Sequence, residues 1–152
     1  MKTKEMQVAA IEDGTVIDHI PSEKLFEVIS LLELSRMKAS ITVGYNLKSQ
    51  KMGRKSSIKI SGKFFTDEEL NRLAVVAPGV SLVIIRDYEI VEKRTVSLPD
   101  VLVGMVHCPN PKCITNNEPM RTRFCVTDPK KAALRCDYCN RIVPLHDVEI
   151  IK

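Results

Sequence analysis

Tryptophan is absent from this chain of 152 residues, and three tyrosines and four phenylalanines complete its aromatic set. That leaves little for the base-stacking surface that single-stranded nucleic acid needs. No uninterrupted apolar stretch approaches the ~20 residues of a membrane-spanning helix, and the opening Met1 to Gln7 is polar and charged. A soluble, cytoplasmic protein that touches no membrane is expected. Cysteine is missing before position 108; all five cysteines lie in the last third. An odd count with no signal peptide argues against a secreted disulfide scaffold. Also missing are a P-loop, a dinucleotide fingerprint, a nucleophile elbow and a His-rich metal signature,. A small enzyme would need a nucleophile with a base or an open metal position, and the chain offers neither. Charge of one sign is scarce too: 23 Lys and Arg against 19 Asp and Glu leave +4, short of the concentrated field of a dedicated nucleic-acid binder. A hydrophobic content of 44% excludes disorder throughout and suits one ordinary domain or two small ones,.

Two domains are expected, residues 1–97 and residues 98–152, with the boundary near Ser97 to Pro99. Up to about Val96 apolar segments alternate between strand and helix character, whereas from Leu98 onward Pro, Asn and Cys dominate and helical periodicity vanishes,. In the first part, Met6 to Ile11, Thr15 to Ile20, Ser40 to Leu47, Ser56 to Ser61, Val80 to Ile85 and Tyr88 to Val91 read as strands,. Ser22 is a candidate cap for a helix carrying Leu25, Phe26, Val28, Ile29, Leu31, Leu32 and Leu34, and Thr66 with Asp67 caps a second helix to about Val76,. Lys48 to Lys55 reads as a polar, basic loop. The order of elements matches an α+β, ferredoxin-like split unit, a mostly antiparallel sheet with both helices on one face, followed by a small all-β zinc-binding domain.

The strongest chemical signal is a cysteine quartet. Cys108 and Cys113 have C-x4-C spacing, twenty-two residues follow, and Cys136 and Cys139 close with C-x2-C. Short reverse turns let two nearby cysteines aim their sulfurs at one point, and Zn2+ takes four soft thiolates in a tetrahedron. One structural Zn2+ per chain is expected, with disulfides or free thiols as the competing reading. Four thiolates leave no open position for a catalytic metal. Cys125, without a close partner, reads as a small buried hydrophobe. The segment 98–152 carries 8 basic and 6 acidic residues; with the metal and four thiolates it becomes roughly neutral, which weakens the runner-up reading, a zinc-ribbon nucleic-acid-binding or transcription-associated protein.

In the first part, Asp18 and His19 interrupt Val16, Ile17 and Ile20, Lys59 sits between Ile58 and Ile60, and Lys93 follows the last strand. A lone strand lysine is ordinarily a solvated face. Together, Lys59 and Lys93 can supply cations for phosphates while Asp18 and backbone near Ala10 and Ile11 hydrogen-bond a base or sugar.

The segments Gly14-Thr-Val-Ile-Asp-His-Ile-Pro21, Met52-Gly-Arg-Lys55, Ile58-Lys-Ile60, Ser97-Leu-Pro99, Cys108-Pro-Asn-Pro-Lys-Cys-Ile114 and Cys136-Asp-Tyr-Cys139, in that order, resemble the regulatory chain of aspartate carbamoyltransferase from end to end. The resemblance implies a non-catalytic allosteric subunit whose first domain binds CTP as inhibitor and ATP as activator, with UTP beside CTP. It implies pairing of regulatory chains through that domain and docking of the zinc domain on the catalytic chain, in control of pyrimidine biosynthesis. Carried over, the nucleotide site comprises Ala10, Ile11, Asp18, His19, Lys59, Tyr88, Ile90 and Lys93, and the docking contacts are Asn110, Glu118 and Arg141. Val83, Ala9 and Val76 depart from the asparagine, glutamate and tyrosine of well-known members.

Overall fold

A computed structural model describes residues 11–128 and 132–151. Ala9, Ala10 and most of the expected first strand fall outside the described residues; Ile11 lies within them and belongs to no strand. Tertiary contacts separate the chain into two units, Met1–Val96 and Ser97–Lys152.

Period-two alternation builds the first unit. Strands β1 (Gly14–Ile20), β2 (Ile41–Ser49), β3 (Gly53–Ser61), β4 (Ser81–Arg86) and β5 (Glu89–Thr95) join helices α1 (Leu25–Leu31) and α2 (Asp67–Val76). The sheet order is β2-β3-β1-β4-β5, with every neighbouring pair antiparallel. This is the split unit expected from the sequence, extended by β5. Ile17 faces Ile58 on one side and Leu82 on the other, and all three are at most 1% exposed. With Leu25 and Val28 of α1 and Leu73 and Ala74 of α2 they form the core, each large side chain contributing about 1.5–3 kcal/mol on burial. Gly14 is required where β1 leaves its loop: at φ +151, a Cβ would stand 2.2 Å from the Ile60 carbonyl oxygen,.

Four local expectations are corrected. Ser22 does not cap α1. A 3-10 turn, Ser22–Lys24, precedes that helix, and the Ser22 hydroxyl pairs with Ser56 Oγ at 3.1 Å. Helix α1 also stops at Leu31, with Glu33 in the left-handed region at φ 53 before a second 3-10 turn. Lys48 to Lys55 is no loop: β2 continues to Ser49 and β3 begins at Gly53, because a two-stranded ribbon that is solvated on both faces needs no apolar alternation. Strand β5 likewise runs past Val91 to Thr95, exposed throughout, and takes in Lys93. Thr66 does cap α2. Its side chain accepts from the Glu69 N–H while Glu69 reaches back to the Thr66 N–H, a complete capping box,.

Among the described residues the second unit has six short strands: β6 (Val101–Val103), β7 (Val106–His107), β8 (Arg123–Asp128), β9 (Ala133–Cys136), β10 (Ile142–Pro144) and β11 (Glu149–Ile150). They form a sheet of order β10-β9-β8-β6 and a β11-β7 pair. Phe124, Leu102, Leu134 and Val106 are fully buried between them, and buried Thr122 ties the two sheets by donating to the Val106 carbonyl at 2.6 Å. Among the described residues no helix is long and apolar enough to cross a membrane.

Candidate functional site

Each cysteine pair lies where a strand ends in a tight turn. Cys108 follows β7, Cys113 precedes the 3-10 turn Ile114–Asn116, Cys136 closes β9 and Cys139 lies in the turn before β10. The first turn is drawn in by the Cys113 N–H donating to the Asn110 carbonyl at 3.0 Å. The Asn116 amide donates to the carbonyls of Cys108 and Asn110, both at 2.8 Å, and the Asn117 amide to that of Cys113 at 2.9 Å. In the second turn Cys136 N–H donates to the Arg141 carbonyl at 3.0 Å and Asn140 N–H to that of Cys136 at 2.8 Å, while Asn140 takes φ 61.

These turns bring the four sulfurs within 4.8 Å of one another. The Cys108–Cys139 and Cys113–Cys136 sulfur pairs are both 3.7 Å apart. A disulfide needs about 2.05 Å, so these are not bonded pairs, whereas a tetrahedron with metal–sulfur bonds of ~2.3 Å has edges of ~3.8 Å. The donor set therefore fits a closed tetrathiolate site. Burial pushes the Cys108 thiol up to about 12 and raises that of Cys136. At Cys139 burial acts the same way, but hydrogen bonds from the Arg141 N–H, Asn110 and the neighbouring thiols outweigh it and lower the group to about 7. Four thiols packed this closely ionise together only against a cation, so metal uptake releases protons. His107 and His146 take no part in the cluster. Asn116 was missed in the sequence; its cue is the run of amides after Cys113.

Cys125 departs from its expected role. It is half-buried, and its thiol donates to Asp137 Oδ1 at 3.2 Å. That contact, ahead of the Arg123 hydrogen bond and the charges of Arg123 and Arg135, holds the Asp137 carboxyl below its usual range. Asn110, Glu118 and Arg141 all sit on loops flanking the quartet, and Ile114, Tyr138 and Ile142 expose apolar surface beside them.

In the first unit the sheet face opposite the helices carries the expected polar residues. Register aligns Thr42, Lys59, Val16, Val83 and Lys93 across all five strands. Lys59 is 7% exposed, and burial lowers its pKa from 10.5; Lys93 is exposed. One row along, Asp18 faces Ser81. A break in register between Ile17 and Ile20 holds His19 at φ 58, a left-handed conformation that a non-glycine residue rarely keeps without support,. Support comes from its N–H, which donates to Asp18 Oδ1 at 2.7 Å, and from its ring Nδ1, which lies 2.9 Å from Ser81 Oγ. Lys55 pairs with both Asp18 oxygens at 3.0 Å, so it belongs to this cluster and not to a solvated loop tip.

At the sheet's end Asp87 and Tyr88 form the β4–β5 turn with φ of 51 and 65. The Tyr88 N–H donates to the Glu12 carbonyl at 2.9 Å and the Asp87 N–H to Asp13 Oδ1 at 3.2 Å, which tethers the turn to the Glu12–Asp13 loop just after Ile11. Tyr88 and Ile90 are exposed. Of the eight residues expected at a nucleotide site, Asp18, His19, Lys59 and Lys93 thus share one region of this face, Ile11, Tyr88 and Ile90 belong to the adjoining loop and hairpin, and Ala10 lies outside the described residues.

Residues 6–97 match the family model of the aspartate carbamoyltransferase regulatory chain, allosteric domain, and residues 100–149 match its metal binding domain. The chain is 57% identical over 149 residues to the aspartate carbamoyltransferase regulatory chain of Parabacteroides distasonis, covering 98% of this chain and 97% of that one. The corresponding chain of Bacteroides fragilis is 58% identical over 146 residues, with 96% and 95% covered. That of Pyrococcus abyssi is 42% identical over 146 residues, with 95% and 96% covered.

Proposed function

The chain belongs to the aspartate carbamoyltransferase regulatory-chain family, and from that premise we propose that it senses CTP, ATP and UTP on its first unit and controls pyrimidine biosynthesis through a zinc-stiffened second unit. Membership makes it a non-catalytic subunit with an allosteric and a metal-binding domain, whose partner is a catalytic chain. The finer reading concerns effectors, metal identity, pairing of regulatory chains and the residues involved.

The observation that carries the effector reading is the aligned row on the sheet face opposite the helices, with Lys59 and Lys93 on either side of Val16 and Val83. A nucleotide triphosphate laid over the two valines would meet an ammonium group from each side. Asp18, fixed by Lys55, and His19, fixed by Ser81, would meet the sugar and phosphates, and backbone at Ile11, Tyr88 and Ile90 would read the base. Ala10 completes this set by resemblance. The Tyr88 amide is engaged by Glu12, so the carbonyl is the group Tyr88 would offer. Zn2+ is the metal that four soft thiolates in a closed tetrahedron suit best; Cys108, Cys113, Cys136 and Cys139 would hold it, and its contribution is structural. Asn110, Glu118 and Arg141 would then present polar contacts to the catalytic chain from a surface the metal keeps in shape.

Coupling follows linkage: an effector shifts the holoenzyme only by the difference in its affinity for the two states, and a coupling of ~1–3 kcal/mol corresponds to a roughly 5- to 150-fold change. The test is co-expression with the aspartate carbamoyltransferase catalytic chain, followed by calorimetric titration of the purified complex with each nucleotide and assay of its aspartate saturation. A complex that binds CTP and ATP competitively and whose saturation curve moves in opposite directions with the two is the expected result. Failure to form the complex, or an unchanged curve at saturating nucleotide, overturns the reading.

A further inference from the structure

We propose that Asp137 is a positioning residue for the metal centre: it fastens the turn between Cys136 and Cys139 to strand β8 and so keeps those two sulfurs aimed at the ion. The inference rests on the reading that the quartet holds a metal.

Asp137 grips Arg123 twice. Its main-chain N–H donates to the Arg123 carbonyl at 2.9 Å, and its Oδ2 accepts from Arg123 Nε at 2.7 Å. Its other oxygen, Oδ1, accepts from the Cys125 thiol at 3.2 Å and lies 3.8 Å from an Arg135 guanidinium nitrogen. Arg123 and Cys125 are two positions apart on β8 and therefore share a face, and register sets Arg135 of β9 opposite Cys125. One carboxylate thus gathers groups from β8 and from β9, the strand that ends at Cys136.

The two turns are held differently. Around Cys108 and Cys113 the side-chain amides of Asn116 and Asn117 clamp backbone carbonyls. The three bonds between strand and second turn that involve Asp137 do the equivalent job on the other side of the quartet, where Cys139, the half-buried ligand, is the one solvent approaches. Partners behind metal ligands fix ligand orientation, and their removal typically costs ~10–100-fold in metal affinity. Cys125 is a donor to this carboxylate and needs no redox role to account for its place.

The test uses the full-length chain loaded with zinc or with cobalt(II), and the variants Asp137→Ala, Asp137→Asn and Arg123→Met. Zinc transfer to a chromogenic chelator is timed well below each variant's unfolding midpoint, and the cobalt d–d bands report ligand geometry. Asp137→Ala is expected to release zinc about 10–100-fold faster with displaced d–d bands. Asp137→Asn, which keeps an oxygen for Arg123, falls between it and the parent. Should Asp137→Ala fail to fold, Asp137→Asn and Arg123→Met carry the same criterion. Release at the parental rate overturns the proposal, as does faster release with unchanged cobalt bands, which would assign Asp137 to general stability. A parent chain that takes up cobalt without a thiolate charge-transfer band overturns the metal reading itself, an outcome distinct from failure of the Asp137 variants.

Discussion

Replacing Lys59 by methionine separates what the side chain does for binding from what it does to the fold. Lys59 and Lys93 sit in one row with two strands between them. Three inter-strand steps of ~4.8 Å put their backbones about 14 Å apart, so the two side chains can close on a ligand from either side. Lys59 is 7% exposed, which would leave a contact with a phosphate little screened. Hydrogen bonds to charged groups are worth about 1.5–3 kcal/mol, so Lys59→Met should weaken triphosphate binding about 10- to 150-fold. Lys93→Met, on an exposed strand, should weaken it by about fivefold at most.

The fold should respond in the other direction. Burial lowers the Lys59 pKa from 10.5, so the unfolded chain binds the proton more tightly. The charged form therefore carries a penalty that is fully present below the folded pKa and is relieved as pH rises towards 10.5,. Lys59→Met removes the titrating group, so the variant's stability loses the parent's gain at alkaline pH,. Calorimetric titration with CTP and ATP, with thermal unfolding at pH values from neutral to alkaline, measures both effects. Parental nucleotide affinity in Lys59→Met would refute the reasoning.

Stripping the metal with a mercurial and chelator should abolish the cooperative unfolding transition of the second unit, since a structural zinc contributes about 10–16 kcal/mol to folding; calorimetry should still show the first unit's transition, and binding to the catalytic chain should be lost. Thr66→Ala breaks the capping box of α2 and should cost about 1 kcal/mol, seen as a fall of roughly 4–8 °C in the first unit's midpoint; no change in midpoint would count against the box. Val83→Asn sets an amide between Val16 and Lys93 in the aligned row, and CTP should gain affinity relative to 2′-deoxy-CTP. Equal gains for both nucleotides would show that the ribose does not lie over this strand.

Much of the scaffold was legible because its signals are local. Ile58 and Ile60 flanking Lys59 announce a strand with one buried face, Thr66 and Glu69 announce a helix start, and four cysteines at short spacings leave few chemistries. What escaped is set by pairing between distant residues. Lys55 joins Asp18 across the β1–β3 pairing, 37 positions away in the chain, and nothing in the string Asp18-His19-Ile20 forecasts a histidine at φ 58. Cys125 meets Asp137 through the β8–β9 register, which a lone cysteine cannot disclose. The length of the β2–β3 ribbon was hidden because its polar residues satisfy both faces equally.

The Asp87–Tyr88 turn has a mechanical consequence. Two residues with side chains hold a backbone shape usually left to glycine or asparagine,, and the bonds to Glu12 and Asp13 span 74 positions of chain in the case of Asp87. The hairpin tip and the opening loop are therefore latched: neither can drift without carrying the other. A substitution at Asp13 should be felt first as a loosened Tyr88, far along the chain from the altered codon.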